Sequence, residues 1–442
     1  MIINIIGAGF AGVEAAYFLA KKGCKVNLYE MRDKKMTPAH KTAFFAEPVC
    51  SNSFKSTALD NAHGLLKKEL EELDSIIIKC ACQEKIPAGG ALAVDRERFA
   101  SRVTQELGEI ENINIIRDEV RSFDEFIKKN EPLIISSGPL TSPKLSEAVQ
   151  KLIGKDFLFF FDAAAPIIDA ESIDYSKAFF QSRYDRGGSD YLNCSLNREE
   201  YYRLVEEIKN AEKTELHDFE KKRVFEGCMP VEALAERGIE TLAFGPMKPV
   251  GITDPNTGRR AYAVLQLRQE NTGKSMYNMV GFQTRLKWSE QKRVFRMIPG
   301  LENAEFLRYG VMHKNTFLNY PEIINVGNYS LKNHDNIYFA GQITGVEGYI
   351  ESAASGIYTA YSLWAALNNR EIYLPSDTMS GSLQHYTTIK NKNYQPMASN
   401  FGLFGEVAVQ DEKGKKLKGR DKKLKLSENA LDSLNNFISR NL

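Results

Sequence analysis

Three glycines near the start of the chain have the spacing that binds a nucleotide pyrophosphate. They are Gly7, Gly9 and Gly12, in a G-x-G-x-x-G pattern. The first permits a tight turn, the second lets the backbone approach a pyrophosphate, and the third lets a helix pack closely on a strand. The N-terminus of the helix that follows offers N–H groups to the anion. Further along, Glu30 is placed to accept hydrogen bonds from a ribose diol.

The segments around these residues have the pattern of a β-α-β unit. Residues 2–6 are a β-branched run typical of a buried parallel strand. Residues 13–22 alternate at helical spacing, and residues 25–29 form a second strand. In this context the glycines predict a dinucleotide site, in preference to a glycine-rich turn without a ligand. The predicted cofactor-binding residues of this unit are Gly7, Ala8, Gly9, Phe10, Ala11, Gly12 and Glu30.

Two later segments favour FAD as the dinucleotide. Residues 132–139 form an apolar strand that ends in small residues, and residues 337–342 form another strand that ends in glycine. Helical sequence rich in Ala and Ser follows at residues 349–367, and its N-terminus can be aimed at the flavin end of FAD. A close-packed strand–helix turn is the structural alternative. This element adds Gly341, Gln342, Gly345, Gly348 and Tyr349 to the predicted cofactor-binding residues.

Length and composition set the broad class. The chain has 442 residues with 58 basic and 57 acidic side chains, which is an ordinary globular composition and predicts two or three domains. No apolar run is long enough to span a membrane, and the low cysteine content predicts reduced thiols in the cytoplasm. The predicted fold is α/β. It has a discontinuous Rossmann-like FAD-binding domain at residues 1–160 and 305–442, and an α/β insertion domain at residues 161–304.

Two of the six cysteines lie in loop-like sequence. Cys50 lies in a polar stretch, and Cys228 stands between a glycine and a nearby proline. Thiols in loops can be exposed and can have a lowered pKa, although the local sequence leaves a structural role equally open. A C-x-C pair invites a metal site, but two ligands do not close a tetrahedral site, so no metal is predicted. The cysteines predicted to be structural are Cys24, Cys80, Cys82 and Cys194.

Positive charge is concentrated locally rather than over the whole chain. Basic residues surround Trp288, and such patches suit nucleic-acid phosphates, although a solvated surface is the alternative. A second basic run at residues 413–425 is better explained as a solvated surface. The candidate RNA-binding residues are Arg285, Lys287, Lys292, Arg293 and Arg296.

Over about residues 2–405 the sequence resembles the folate- and flavin-dependent tRNA (uracil-5-)-methyltransferases. Two departures stand out: Pro48 replaces a leucine that is usual in the family, and the region after residue 405 is divergent. The motif blocks that carry the resemblance are residues 37–40, 47–53, 87–96, 161–166, 225–232, 244–251, 281–284 and 339–356.

The resemblance implies a fold of the glutathione-reductase type, and it implies a reaction. The methylene group of 5,10-methylenetetrahydrofolate passes to C5 of a uridine in folded RNA. Reduced FAD completes the methyl group, and NAD(P)H, which docks only transiently, re-reduces the flavin. The implied substrate is the T-loop uridine at tRNA position 54, with a uridine of 23S ribosomal RNA as the alternative. Folate and structured RNA are the expected partners, with no obligate protein partner and no membrane.

The resemblance also implies roles for individual side chains. Cys228 is the expected nucleophile at uracil C6, since a thiolate there makes C5 reactive. Cys50 is its expected partner near the flavin, although which cysteine attacks stays open. Tyr349 is expected to stack on the flavin or the pterin, and His40 and Lys41 to contact the same pocket.

Other classes of function remain open from the residues alone. One is a flavin oxidoreductase that acts on a small metabolite. Another is a methyltransferase that uses S-adenosylmethionine, which would leave the second glycine element unexplained. A pure RNA-binding module is the least favoured, because so much of the chain has the pattern of a cofactor scaffold.

Overall fold

The β-branched run at the start of the chain forms the central strand of a parallel sheet in this computed structural model. The structure describes residues 2–155, 157–183, 188–214, 229–370, 373–392, 394–410 and 413–441. The strands are β1 (Ile2–Ile6), β2 (Lys25–Tyr29), β3 (Ser53–Ser56), β4 (Lys85–Ile86), β5 (Ala91–Val94), β6 (Ile113–Ile116), β7 (Leu133–Ile135), β8 (Leu158–Ala163), β9 (Ile167–Asp169), β10 (Ala178–Phe180), β11 (Tyr191–Leu196), β12 (Ala263–Gln269), β13 (Met276–Met279), β14 (Phe306–Arg308), β15 (Met312–Phe317) and β16 (Ile337–Phe339).

Helices lie in the connections between the strands of the parallel sheet, as a parallel sheet requires. They are α1 (Phe10–Lys21), α2 (Ala62–Glu72), α3 (Ile76–Gln83), α4 (Arg96–Gly108), α5 (Asp124–Lys128), α6 (Pro143–Ile153), α7 (Arg198–Asn210), α8 (Val231–Arg237), α9 (Thr241–Phe244), α10 (Trp288–Phe295), α11 (Tyr320–Ile323), α12 (Tyr349–Leu367), α13 (Met379–Tyr386) and α14 (Gly419–Asn441).

The parallel sheet has the strand order β16-β7-β1-β2-β6, and each neighbouring pair is parallel. Strand β1 lies between β2 on one side and β7 on the other, so the connections run in opposite directions from it. A crevice forms at such a switch point, beyond the carboxyl ends of the strands. Strand β16 reaches this sheet from far along the chain, which confirms the predicted α/β fold with a discontinuous Rossmann-like sheet.

Helices α1 and α12 pack closely beside this sheet. A Cβ atom on Gly356 would lie 2.1 Å from the carbonyl oxygen of Ala11, so glycine is what allows the two backbones to touch. Helix α1 begins at Phe10, three residues earlier than the apolar spacing predicts. The glycine turn therefore continues directly into the helix, and Gly12 lies in its first turn.

The middle of the chain forms a separate antiparallel sheet, in the order β10-β11-β12-β13-β9-β14. Helices α7 and α10 cover it, with a core that includes Leu204, Leu265 and Phe295. Strand β8 precedes this segment in the chain and β15 follows it, and the two strands pair with each other in an antiparallel ladder. Strand β14 belongs to this sheet, so the sheet extends past residue 304. The boundaries of the insertion domain stay a prediction.

Across the described residues, no helix combines the length and the hydrophobicity needed to cross a membrane.

Candidate functional site

A cleft lies at the switch point of the parallel sheet. Doubly wound folds bind ligands at this position. The loops after β1, β7 and β16 contribute to it through Gly7, Ser136 and Gly341. The predicted cofactor-binding residues that line the cleft are Gly7, Gly9, Phe10, Ala11, Glu30, Gly341, Gln342 and Tyr349.

The three glycines of the first turn serve different purposes. Gly7 has a φ of +99°, and a Cβ there would lie 2.6 Å from the carbonyl oxygen of Ser136. A Cβ on Gly12 would lie 1.8 Å from the carbonyl oxygen of Gly7. Around the Cβ position of Gly9, by contrast, no atom of the described residues lies within 4 Å. The turn therefore leaves space in front of the N-terminus of α1, which fits a pyrophosphate.

Glu30, at the end of β2, forms a buried ion pair with Arg32. Burial raises the pKa of Glu30, but the hydrogen bonds and the charge of Arg32 outweigh it, so the pKa is lowered and the carboxylate is ionised. Arg32 also lines the cleft, and it is missing from the predicted site residues. The signal for it in the sequence is an arginine two residues after the acid that ends the second strand.

His40 lines the cleft beside this pair. Its Nδ1 is 2.6 Å from Oγ1 of Thr37. Burial and the charge of Arg32 lower the pKa of His40 to about 4, so the ring is neutral at neutral pH. Lys41 lines a neighbouring cleft instead, together with Arg96 and Arg308.

In the second glycine element, Gly341 and Gly345 allow neighbouring residues to pack closely. Gly341 has a φ of +82°, and a Cβ there would lie 2.9 Å from Cβ of Ala11. A Cβ on Gly345 would lie 2.6 Å from the ring of Tyr394. Gly341 and Gln342 line the cleft, whereas Gly345, Gly348, Ala8 and Gly12 are not among its lining residues. The close-packed turn and the ligand site therefore coexist in this element.

Cys50 lies in a loop held by the hydroxyl of Tyr349. That oxygen accepts hydrogen bonds from the backbone N–H of Cys50 at 2.7 Å and of Ser51 at 3.1 Å. The Tyr349 ring stacks on Phe10 at 4.7 Å between centroids. One face and the hydroxyl of Tyr349 thus contact the protein, and stacking on a flavin or pterin would have to use its other face. Sγ of Cys50 lies 3.9 Å from the carbonyl oxygen of Ala163.

Arginines from three elements hold the same loop. Arg96 of α4 donates to the carbonyl oxygen of Pro48, and Arg308 of β14 donates to that of Val49 at 2.6 Å. Arg268 of β12 donates to Oγ of Ser51 at 2.8 Å and to Oδ1 of Asn52 at 2.9 Å. Burial, Arg308 and Arg96 together lower the pKa of Lys41 nearby. Arg96 also forms an ion pair with Glu270 at 3.0 Å, so part of the positive charge around the loop is balanced within the protein.

Comparison with known proteins identifies the family. The model of the family described as glucose inhibited division protein A matches residues 2–371. The methylenetetrahydrofolate--tRNA-(uracil-5-)-methyltransferase TrmFO of Acetivibrio thermocellus is 54% identical over 434 residues, which cover 98% of this chain and 97% of that protein. The Heliobacterium modesticaldum protein of the same name is 52% identical and covers 100% of this chain and 99% of its own. This chain belongs to the methylenetetrahydrofolate--tRNA-(uracil-5-)-methyltransferase family.

Membership in this methyltransferase family confirms the resemblance drawn from the sequence. A solved structure of Aquifex aeolicus GidA is similar in fold, with a TM-score of 0.69 at 15% sequence identity, over 99% of this chain and 75% of that one. This similarity supports the fold of the chain.

The structure places only one of the two cysteines that the methyltransferase reading assigns to catalysis. Cys50 lies in the loop beside Tyr349 and is not itself among the residues that line the cleft, whereas Cys228 lies outside the described residues. The five cysteines in the described part are free thiols. Cys80 and Cys194 are buried while Cys82 is exposed, so the two thiols of the C-x-C pair have different surroundings. No cluster of metal-ligating side chains occurs in the described part of the chain.

The basic segment predicted to bind RNA is largely paired with acids. Lys287 lies 2.7 Å from Glu212, and Arg293 forms ion pairs with Glu207 and Glu290. Arg285 approaches Glu232 at 3.6 Å. Arg296 donates to the carbonyl oxygen of Ala304, and Lys292 is exposed. The segment is therefore a mixed surface, and its role in RNA binding by this methyltransferase stays a prediction.

Proposed function

We propose that this chain methylates C5 of a uridine in folded RNA, with 5,10-methylenetetrahydrofolate as the carbon donor and FAD as the reductant. The observation that carries the proposal is 54% identity over 98% of the chain with a methyltransferase of that name. The cleft at the switch point, lined by the glycine turn, supports it independently. The T-loop uridine at tRNA position 54 is the proposed target.

The chemistry explains why thiols are needed. Uracil C5 is a poor nucleophile, and addition of a thiolate at C6 forms an enolate that makes C5 reactive. We assign this addition to Cys228, with Cys50 as its partner. C5 then forms a bond to the donor's methylene carbon and loses its proton, while one of the two bonds from that carbon to folate nitrogen breaks. The second carbon–nitrogen bond breaks to release tetrahydrofolate, and the thiolate leaves from C6 as a hydride reaches the transferred carbon. In balance, methylenetetrahydrofolate, uridine and FADH₂ give 5-methyluridine, tetrahydrofolate and FAD.

The cleft residues divide into two groups around the cofactor. The turn at residues 7–12 and the N-terminus of α1 are placed to hold the pyrophosphate, with Glu30 near the ribose. Gly341, Gln342 and Tyr349 line the part of the cleft beside the first turn of α1 and the Cys50 loop. Reduced FAD would supply the hydride that turns the transferred methylene into a methyl group. NAD(P)H is the proposed source of that reducing power, docking transiently.

The test is a methylation assay on the purified chain. With FAD, NAD(P)H and methylenetetrahydrofolate, we expect 5-methyluridine in a tRNA transcript, located by mass mapping. A matched tRNA that lacks the T-loop uridine is the control. Product only in a 23S ribosomal RNA fragment would replace the tRNA target by the rRNA target. A chain that binds no FAD, or that takes the methyl group from S-adenosylmethionine, would contradict the proposal.

The assigned nucleophile has its own test. Cys228→Ala is expected to abolish methyl transfer and to leave FAD bound, because the thiol acts on the base and not on the cofactor. Cys82→Ala, which changes an exposed thiol, is the matched control and should retain activity. Full activity of the Cys228→Ala enzyme would refute the assignment.

A further inference from the structure

Arg32 is a buried cation in the wall of the cleft. It is 2% exposed and lines the cleft together with Gly7 and Gly9. Its Nε donates to Oε1 of Glu30 at 2.9 Å, and its Nη2 donates to Oε2 at 3.1 Å. This two-point pairing fixes the plane of the guanidinium.

The carboxylate of Glu30 has its acceptor positions filled. Besides the two guanidinium contacts, Oε1 accepts the backbone N–H of Arg32 at 3.1 Å, and Oε2 accepts that of Ala8 at 3.0 Å. An ionised carboxylate has about four acceptor positions. Both hydroxyls of a ribose diol could therefore donate to Glu30 only by displacing donors that are already in place.

The third guanidinium nitrogen of Arg32 is in the opposite situation. Nη1 is buried and has no hydrogen-bond partner within the described residues. The nearest carboxylate oxygen recorded for it is Oε2 of Glu47, at 3.9 Å. Glu47 itself accepts the backbone N–H groups of Lys41 and Thr42 and the hydroxyl of Thr42. A buried donor without a partner is costly, so this nitrogen points to an acceptor that a ligand brings.

We infer that Nη1 of Arg32 donates a hydrogen bond to a hydroxyl oxygen of the adenosine ribose of FAD, with Glu30 as the residue that positions the guanidinium. The inference rests on the proposed function, which makes FAD the cofactor. The glycine turn takes the pyrophosphate, and the Glu30–Arg32 pair follows the neighbouring strand β2, on the side where the sugar of a dinucleotide lies. A ribose hydroxyl can accept as well as donate, so it matches the unused donor.

The experiment measures FAD affinity on protein freed of flavin, by quenching of flavin fluorescence. Arg32→Met is expected to weaken FAD binding about tenfold or more, since a hydrogen bond from a charged donor is lost. Arg32→Lys is expected to weaken FAD binding by a similar factor, because an ammonium group cannot reproduce the planar fork of the guanidinium. Lys34→Met, which removes an exposed cation from the same loop, is the matched control and should bind FAD normally.

Two FAD analogues, which lack the 2′- or the 3′-hydroxyl of the adenosine ribose, locate the contact. One of them should bind the unmodified chain several-fold more weakly than FAD does, and that difference should vanish in Arg32→Met. If Arg32→Met fails to fold because it leaves Glu30 unpaired, the double variant Glu30→Gln/Arg32→Met removes the orphaned charge, and its discrimination between FAD and the analogue is measured instead.

The outcomes separate this inference from the proposed function. Normal FAD affinity in Arg32→Met, or equal affinity of the unmodified chain for FAD and both analogues, overturns the inference alone, since a water molecule would then satisfy Nη1. An unmodified chain that binds no FAD overturns the inference and the proposed function together.

Discussion

The two walls of the cleft are built in different ways. At the glycine turn, Gly7 contacts Gly12 and Glu30 contacts Arg32, which are close in sequence, although Gly7 also packs on the distant Ser136. At the Cys50 loop, most contacts come from Tyr349, Arg308 and Arg268, hundreds of residues away. The phosphate-binding wall is thus encoded largely by nearby residues, whereas the wall proposed to carry the chemistry depends mainly on distant ones.

The largest effect is expected within the glycine turn. Gly12→Ala places a methyl group 1.8 Å from the carbonyl oxygen of Gly7, and overpacking of this kind costs about 3 kcal/mol. We expect a lower melting temperature of the flavin-free protein and loss of FAD binding. Gly9→Ala is the matched variant, since its methyl group meets open space. It should fold normally and bind FAD weakly. Equal losses of stability in the two variants would contradict the different purposes assigned to Gly12 and Gly9.

The wall at Cys50 is tested by Tyr349→Phe, which keeps the stacked ring and removes the hydroxyl that accepts two backbone N–H groups. The free energy of unfolding should fall by about 1–2 kcal/mol, and methyl transfer should fall more than FAD affinity. Tyr361→Phe is the control, because its buried hydroxyl has no partner within the described part of the chain, and it should be neutral. If both variants unfold at the same denaturant concentration, Tyr349 does not hold the loop.

The pH dependence of the free energy of unfolding tests the wall of the cleft that contains His40. Its pKa is lowered to about 4 in the fold, against about 6.5 in the unfolded chain. Below pH 6.5 the unfolded state therefore binds a proton that the folded state does not, and stability falls as the pH falls toward 4. Between pH 7 and pH 5 we expect the unmodified chain to lose about 1–2 kcal/mol more than His40→Gln does.

Denaturant unfolding at the two pH values measures this difference. A dependence in His40→Gln that matches the unmodified chain would mean that His40 is already protonated in the fold at pH 5.

The smallest effect is expected beside the antiparallel sheet of the middle of the chain. Arg293 is half-exposed and forms ion pairs with Glu207 and Glu290, and exposed pairs contribute about 0.2–1 kcal/mol. Arg293→Gln should therefore lower the free energy of unfolding by about 0.5 kcal/mol. The same variant tests the predicted RNA face: a clear rise in the RNA dissociation constant supports it, and an unchanged constant removes Arg293 from it.

The sequence predicts the wall at the glycine turn well and the wall at the Cys50 loop poorly. The β-α-β unit, the strand at 337–339 and the helix at 349–367 follow from periodicity and glycine position, and the structure has them. Arg96, Arg268 and Arg308 escape prediction because no spacing links them to Cys50; only the antiparallel sheet brings two of them there. At Gly345, a glycine predicted to bind the cofactor also accommodates the ring of Tyr394, and its part in cofactor binding stays a prediction.

A structure of the chain with FAD bound would show whether both walls face one cofactor. We expect the pyrophosphate at residues 7–12 and the adenosine ribose beside Arg32. This arrangement puts the isoalloxazine ring between the Gly341–Gln342 turn and the Cys50 loop. FAD bound elsewhere, or bound with its flavin ring remote from Cys50 and Tyr349, would contradict it.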